Sequence, residues 1–390
     1  MSTVLRSKRV LTKGQFQPAD IVIEHDYIVA VNPYDFTGST IASIDLGNLL
    51  VVPGFVDLHS DAVEKEIEPR PGADFPVENA LVELDKKLAM AGITTMFHAI
   101  AFNEESLVGQ RGTATATNLI RKITDINSRM LAIDNLVHAR FEITSLGSLS
   151  VIKELLAGGQ VQMLSLMDHS PGQGQFRSLE KWKEYHVPVY DLSEQDVQEI
   201  VSHQREKKSR CMGSLLELTD CAKELNILIA SHDDDTSEKI DLMEGMGITI
   251  SEFPLNLETA VYARHRKMTT GMGAPNIVRG RSQSGNISAR ELLQQGCCDF
   301  LCSDYHPSSM LQAVYALHLE MGMALASAFS FITSAPAKIA RLTDRGEIGP
   351  QKLADLAVID DLFVPKVVLT MKSGNPIYSG SSCFCIHEPA

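Results

Sequence analysis

The middle of the chain repeats one pattern, in which a helix-like segment is followed by a short apolar run. In ENALVELDKKLAMAG, residues 78–92, apolar side chains recur at helical spacing, Gly92 is placed to end the helix, and ITTMF follows. SLLELTDCAKELN precedes ILIAS, and SARELLQQG precedes CCDFLCS, in the same way. Helices that alternate with short apolar strands indicate parallel β/α units.

Eight apolar runs of strand length follow one another through this region. They lie near residues 51–58, 93–101, 137–143, 161–168, 227–231, 248–254, 270–275 and 299–303. This series predicts an α/β fold built on a (β/α)8 TIM-like barrel. A doubly wound open sheet is the alternative, but its Gly-rich dinucleotide-binding turn is missing. The polar, helix-like residues 177–212 are interpreted as an insertion after the fourth strand.

The two ends of the chain differ from the middle. In residues 1–50, short strand-like runs of alternating apolar and polar residues are interrupted by Gly, Asp and Asn-Pro. Residues 346–390 show the same pattern. We therefore expect the two ends, residues 1–50 plus 346–390, to fold together as a small antiparallel β unit beside a central barrel of residues 51–345.

Composition limits the partners and the compartment. A net charge of -14 argues against a nucleic-acid partner, and an anionic substrate would need local cations. Seven cysteines without paired spacing indicate a reducing compartment. No run of 18 apolar residues occurs, and the first residues contain no apolar signal core. The sequence predicts a cytoplasmic protein with a small-molecule substrate and no membrane partner, and it leaves a homo-oligomer open.

Histidines and carboxylates stand where the apolar runs end, which is where barrel enzymes carry their catalytic residues. His59 and Asp61 are two residues apart after a strand and would share one face, although a turn with an incidental His and Asp is the alternative. Other tips carry Asp168, the run Asp233–Asp235, and Glu252. The predicted metal ligands are His59, Asp61, Glu142, His169, His232 and Asp304.

This mixture of nitrogen and oxygen ligands indicates a divalent metal, because buried imidazole and carboxylate groups need a shared partner. We expect one or two ions, with Zn²⁺ first and Mn²⁺, Fe²⁺ or Co²⁺ as alternatives. His98 is interpreted as a hydrogen-bonded core residue, and His138 as a surface or packing residue. One aspartate of the run after His232 could orient that ring.

Longer motifs resemble a known family. The segments PGFVDLH and GEIGPQKLADLAV resemble the amidohydrolase superfamily, and LHSDAVEK, SLMDHSPGQGQF, ASHDDDT, GAPNIVRGRSQSGN and SDYHPSSM resemble its alpha-D-ribose 1-methylphosphonate 5-triphosphate diphosphatase family, which acts in phosphonate catabolism. The resemblance implies a metal-dependent (β/α)8 barrel of residues 51–345 and a small β-sandwich domain formed by residues 1–50 plus 346–390. It also implies a hydrolase that cleaves a ribosyl alkylphosphonate triphosphate to the 5-phosphate and pyrophosphate. The usual His-x-His is His59-Ser60-Asp61 here, and Glu142 stands in for a bridging lysine.

A triphosphate substrate directs attention to cations and small polar residues near the strand tips. Arg279 and Arg281 flank Gly280 in a segment that could cradle phosphate at a helix start. The alternative is a polar surface loop with an incidental arginine pair. The predicted substrate contacts are Lys65, Arg70, Lys181, Arg279, Ser282, Ser284, Asn286 and His306.

The expected reaction uses Asp304 as the catalytic carboxylate that orients and deprotonates the attacking water. Two rival hypotheses remain. One is a hydrolase of a cyclic amide, an N-acetyl group or an exocyclic amine on the same scaffold. The other is a barrel that has become a scaffold without catalysis, which analysis of bound metal would distinguish.

Overall fold

The coordinates are a computed structural model. The residues that it describes are 2–34, 43–103, 112–168, 193–282, 285–380 and 385–387, with Ser170, Glu180, Lys183 and Val187. Within these residues the chain forms an eight-stranded parallel sheet and a separate nine-stranded mixed sheet, with helices between the strands of the first.

The mixed sheet is built from both ends of the chain. Its strands are β1 (Ser2–Thr12), β2 (Gln15–Glu24), β3 (Tyr27–Pro33), β4 (Ser43–Asp45), β5 (Leu50–Pro53), β14 (Leu356–Asp360), β15 (Lys366–Lys372), β16 (Asn375–Ser379) and β17 (Cys385–His387). The main path runs β16-β15-β14-β5-β1-β2-β3, and β4 joins β1 to β17. The β5 strand pairs parallel to β1 and antiparallel to β14, so the sheet joins the two chain ends. The finer prediction of a β-sandwich stays a prediction.

Both faces of this sheet are apolar. Along β5, Leu50 and Val52 pack with the barrel and its helices, whereas Val51 packs in the sheet's own core. Successive strand side chains point to opposite faces, so one short strand serves two cores. The sheet is thereby attached to the barrel through continuous apolar packing.

The eight remaining strands follow one another in chain order around a nearly closed barrel. They are β6 (Phe55–Ser60), β7 (Ile93–Phe102), β8 (Asp134–Glu142), β9 (Met163–Met167), β10 (Leu228–His232), β11 (Ile250–Glu252), β12 (Thr269–Gly273) and β13 (Phe300–Cys302). The last strand approaches the first through Asp304, whose N–H donates to His59 O over 3.0 Å and whose carbonyl accepts from Asp61 N over 2.8 Å.

The predicted series of eight parallel strands is confirmed, with one difference at its start. The run at 51–58 is two strands: β5 belongs to the mixed sheet and β6 to the barrel. Gly54 separates them, and its N–H donates to Asp355 O over 2.8 Å. A side chain there would overlap Thr94, so only glycine fits at this close backbone approach.

Helices cover the outside of the barrel. They are Ala62–Ile67, Val77–Met90, Thr113–Met130, Leu149–Ala157, Glu194–Glu224, Ser237–Gly245, Leu257–His265, Ala274–Arg279, Ala289–Gln294, Ser309–Leu319, Leu325–Ser330 and Ser334–Ile339, with a 3-10 turn at Leu146–Ser148. The described part of the predicted insertion is continuous with the predicted helix near 214–226, because both lie in Glu194–Glu224. None of the described helices combines the length and the apolar character that crossing a membrane requires.

Inside the barrel, an apolar layer supports the strand ends. The layer contains Val56, Leu58, Phe97, Met163, Leu228, Ala230, Ile250, Phe300, Cys302 and Ala337. Gly271 makes room for the Phe300 ring, which a methyl group at Gly271 would overlap. These apolar side chains fill the part of the interior on which the strand ends rest.

Candidate metal centre

Four buried side chains from four barrel strands meet inside the carboxyl end of the barrel. They are His59 on β6, His138 on β8, His232 at the end of β10 and Glu252 at the end of β11, and each is 7% exposed or less. His59 Nδ1 lies 3.3 Å from Glu252 Oε1, and His138 Nε2 lies 3.7 Å from Glu252 Oε2. Ligand atoms of His59, His232 and Glu252 lie within 4.8 Å of one another.

The backbone turns sharply after the residues of this cluster. Asp233, Phe253 and Asp304 have φ angles of 55°, 55° and 58°, which are unusual for residues other than glycine. Asp233 follows the last residue of β10, and Phe253 follows the last residue of β11. The strained turns let the strands end at His232 and Glu252, which are direct neighbours in the sheet register.

Burial sets the protonation of the cluster. It holds the pKa of His59 well below its usual range and lowers the pKa of His138 to about 3. The pKa of His232 is also lowered by burial, against the raising effect of Asp233. Burial raises the pKa of Glu252. The imidazoles are therefore neutral at pH 7, which is the form that binds metal.

These residues fit a divalent metal ion. His138 Nε2 and Glu252 Oε2 face each other without a hydrogen bond to any described residue, although both are buried. Buried polar atoms that lack partners are rare and call for an unseen group. Ligand atoms around a tetrahedral zinc ion lie about 3.4 Å apart, which is close to the spacing of these side chains. The mixed imidazole and carboxylate set suits Zn²⁺ and related ions.

Asp304 lies at the rim of the cluster. It is half-buried, and it follows β13, where the barrel closes onto β6. Burial, and then the nearby charge of Asp61, raise the pKa of Asp304 to about 7. Gly273 leaves space for its carboxylate, because a methyl group there would lie 3.3 Å from Asp304 Oδ2. A carboxylate that titrates near neutrality is suited to accept a proton.

A second layer of ionic contacts supports the β10 end. Lys239 Nζ donates to the carbonyls of His232 and Asp233 over 2.7 Å and 3.2 Å, and it pairs with buried Asp234 over 3.2 Å. Burial alone would lower the pKa of Lys239, but Asp234 and neighbouring carboxylates raise it overall. Asp234 also accepts from Ser231 and from Ser251. The sequence run of three aspartates is thus partly a buried support for His232.

The structure brings together two of the predicted ligands, His59 and His232, with two residues outside the predicted set. His138 is interpreted from the sequence as a surface or packing residue; its full burial rules out the surface position, and its ring lies in this cluster. Glu252 was noted at a strand tip but not chosen as a ligand. The sequence signal for these positions is a spacing of two residues. His138, Arg140 and Glu142 occupy every second position of β8, so their side chains point to the same inner face.

The other predicted ligands do not belong to this group of four side chains. Asp61 acts on Asp304 through its charge, and Glu142 is buried at the end of β8. His169 lies outside the described residues. The assignment of Asp61, Glu142, His169 and Asp304 as ligands stays a prediction. His98 agrees with its interpretation as a core residue, because it is buried with Nε2 2.7 Å from Asn135 Oδ1.

The predicted substrate contacts lie mainly on the surface. Lys65, Arg70, Arg279 and His306 are exposed, and Ser282 and Asn286 are half-buried. Arg279 Nη1 donates to Tyr305 Oη over 3.3 Å, which connects the predicted phosphate segment to the residue after Asp304. Lys181 and Ser284 lie outside the described residues. The substrate-binding role of the whole set stays a prediction.

Comparison with solved structures defines the architecture. Dihydropyrimidinase from Brevibacillus agri is 12% identical with a TM-score of 0.66, covering 97% of this chain and 95% of that one. N-acetyl-D-glucosamine-6-phosphate deacetylase from Mycobacterium smegmatis is 14% identical with a TM-score of 0.64, covering 96% and 100%. At these identities the likeness concerns the fold alone. The Amidohydrolase family model matches residues 192–379.

A sequence relative narrows the class. The alpha-D-ribose 1-methylphosphonate 5-triphosphate diphosphatase of Escherichia coli (strain K12) is 35% identical over 312 residues, covering 79% of this chain and 82% of the relative. The chain therefore belongs to the alpha-D-ribose 1-methylphosphonate 5-triphosphate diphosphatase family of the amidohydrolase superfamily.

Proposed function

We propose that the chain is a metal-dependent diphosphatase of phosphonate catabolism. It hydrolyses alpha-D-ribose 1-alkylphosphonate 5-triphosphate to the 5-phosphate and pyrophosphate. The observation that carries the metal-dependent chemistry is the buried group of His59, His138, His232 and Glu252 beside Asp304. The 35% identical relative, which is named for this diphosphatase activity, supports the choice of substrate.

The residues of the cluster would hold one divalent ion, or two, with Zn²⁺ preferred by the ligand set. Such an ion supplies Lewis acidity and lowers the pKa of water from about 16 toward about 7. The protein residues keep the imidazoles neutral and bring a carboxylate to the rim. Lys239 fixes the carbonyl of His232, so the ring stays oriented toward the centre.

Asp304 accepts the proton of the attacking water at a carboxylate oxygen. The oxygen of that water forms a bond to the α-phosphorus, the bond from the α-phosphorus to the bridging oxygen breaks, and pyrophosphate leaves with that oxygen. With a pKa of about 7, Asp304 is about half ionised at pH 7, so both its base form and its protonated form are present near neutrality. We assign the outer phosphates to Arg279, whose contact with Tyr305, the residue after Asp304, supports this assignment.

Phosphorus NMR on purified protein tests this function. The ribosyl methylphosphonate triphosphate should give pyrophosphate and the 5-phosphate in equal amounts, and a chelator should stop the reaction. Release of orthophosphate from the γ position, or no reaction with metal added, would contradict the proposal. The alternative, hydrolysis of a cyclic amide, an N-acetyl group or an exocyclic amine, would instead release acid or ammonia from those compounds.

A further inference from the structure

Arg140 places a positive charge inside the candidate metal centre. It lies on the inner face of β8 between His138 and Glu142, and it is 6% exposed. Its Nη2 lies 3.3 Å from His232 Nε2. Burial, and then the charge of Arg140, hold the pKa of His59 below its usual range, so the guanidinium acts across the whole cluster.

The charge of Arg140 lacks a direct counter-charge. Among the residues that the structure describes, Arg140 forms no ion pair with a carboxylate, and its Nε has no hydrogen-bond partner. Burying a guanidinium without a directly paired carboxylate is unfavourable. Glu252 and Asp304 interact with Arg140 through their charges, but neither forms an ion pair with it among the described contacts. An anion that binds the guanidinium directly would offset the remaining cost.

We propose that Arg140 is a catalytic residue that binds a phosphoryl oxygen of the substrate next to the metal ion. This inference rests on the proposed diphosphatase function, because the triphosphate supplies the anion. A guanidinium presents several N–H donors in one plane, and the donors that do not face His232 can bind two phosphoryl oxygens together. Charge that develops on those oxygens during transfer would be stabilised by a cation already in place.

A structural role is the competing explanation for Arg140. In that role the guanidinium would only orient His232 through their 3.3 Å contact. The two roles differ in what they predict for metal binding. Loss of an orienting group weakens the metal site, as seen for groups that position metal ligands. Loss of a like charge leaves metal affinity unchanged or increases it.

Calorimetric titration of inorganic pyrophosphate into zinc-loaded protein provides the test, with metal affinity measured separately by competition with a chelating dye. In Arg140→Gln, pyrophosphate affinity should fall at least about tenfold, since a charge-assisted hydrogen bond is lost. Metal affinity should stay the same or rise. Arg140→Lys should recover part of the anion affinity, because it restores the charge without the planar fork. Arg121→Gln, a substitution of an exposed arginine, is the matched control and should change neither affinity.

Unchanged pyrophosphate affinity in Arg140→Gln would overturn the proposal, and so would a parallel fall in metal and pyrophosphate affinity. If Arg140→Gln does not fold, Arg140→Lys decides: weaker pyrophosphate binding at constant metal affinity supports the proposal, and unchanged binding rejects it. The proposed function is tested separately by the products of the wild-type protein. A protein that binds pyrophosphate through Arg140 but releases none from the triphosphate would reject that function and retain this inference.

Discussion

Both ends of the barrel contain buried charged side chains, but the two ends differ in the partners that these side chains have. At the amino end, Arg345 contacts Asp134, Thr95 and Asp344, and Lys372 lies 2.8 Å from Asp134 Oδ2 and 2.7 Å from Asp355 Oδ2. At the carboxyl end, His138 Nε2, Arg140 Nε and Glu252 Oε2 have no hydrogen-bond partner among the described residues.

This difference indicates that the amino end contributes to the stability of the fold, whereas the carboxyl end carries the chemistry. The paired network at the amino end joins the start of β8 to the mixed sheet, so it fixes one part of the fold against the other. The cluster at the carboxyl end keeps donors and acceptors available for groups that the chain does not supply. Variants of the two ends should therefore change different measurements: stability at the amino end and turnover at the carboxyl end.

The largest effect is expected for Asp304→Asn at the carboxyl end. Its turnover number should fall by roughly 10²–10⁴-fold, which is the range for loss of a general base. The free energy of unfolding should stay constant or rise, because repulsion between Asp304 and Asp61 is removed. Kinetics followed by phosphorus NMR and urea unfolding measure these two quantities. Asp220→Asn on an exposed helix face is the control, and near-normal turnover in Asp304→Asn would disprove the assigned role.

At the amino end, Arg345→Met should lower the stability of the fold and leave turnover nearly unchanged. Its side chain is 10% exposed, and its loss leaves Asp134 without one cation and Asp344 without its partner. Because the side chains of Asp134 and Asp344 are 38% and 44% exposed, solvent screens these pairs, and their loss should lower the free energy of unfolding by about 1.5–3 kcal/mol. Turnover below the melting temperature should stay near normal. Arg121→Met breaks the exposed pair with Glu154 and should cost less than about 1 kcal/mol. Equal losses in the two variants would remove the contrast between the ends.

Strong acid should weaken the amino-end network when Asp134 becomes protonated in the folded protein. Burial by itself would raise the pKa of Asp134, but Lys372 and Arg345 lower it overall below 3.8. A depressed folded-state pKa means that the unfolded state binds the proton first as pH falls. The stabilisation is thus present above pH 3.8 and is lost as pH falls through the folded-state value. The difference in unfolding free energy between wild type and Asp134→Asn should shrink over that window in urea titrations at several pH values. A difference that is independent of pH would show that the charge of Asp134 does not contribute.

Sequence periodicity predicted the parallel barrel well because its strands are continuous apolar runs. Such runs can be recognised from the sequence alone, without knowledge of which residues are in contact in the fold. Division of the first run at Gly54 depends on contact with Thr94 and Asp355, and no local pattern shows that contact. For the site, His59 and His232 were found because each ends an apolar run. His138 and Arg140 were missed because they lie before the strand end, where a histidine more often indicates packing. Only the convergence of four strands shows that these inner positions reach the same cluster as the tips.

The smallest effect is expected for Arg279→Ala, which extends the comparison from the buried cations to an exposed one. Arg279 donates to Tyr305 over 3.3 Å at the mouth of the barrel, in contact with solvent. Water and salt screen such a charge, so KM for the triphosphate should rise by about tenfold or less, and the turnover number and metal content should be unchanged. Raising ionic strength should reduce the difference between variant and wild type. Steady-state kinetics at two salt concentrations measure this, with Arg266→Ala as an exposed control on another helix end. If Arg279→Ala lowered the turnover number as strongly as Asp304→Asn, the exposed arginine would belong to the reacting centre, and the contrast between a buried catalytic cluster and a screened binding rim would be wrong.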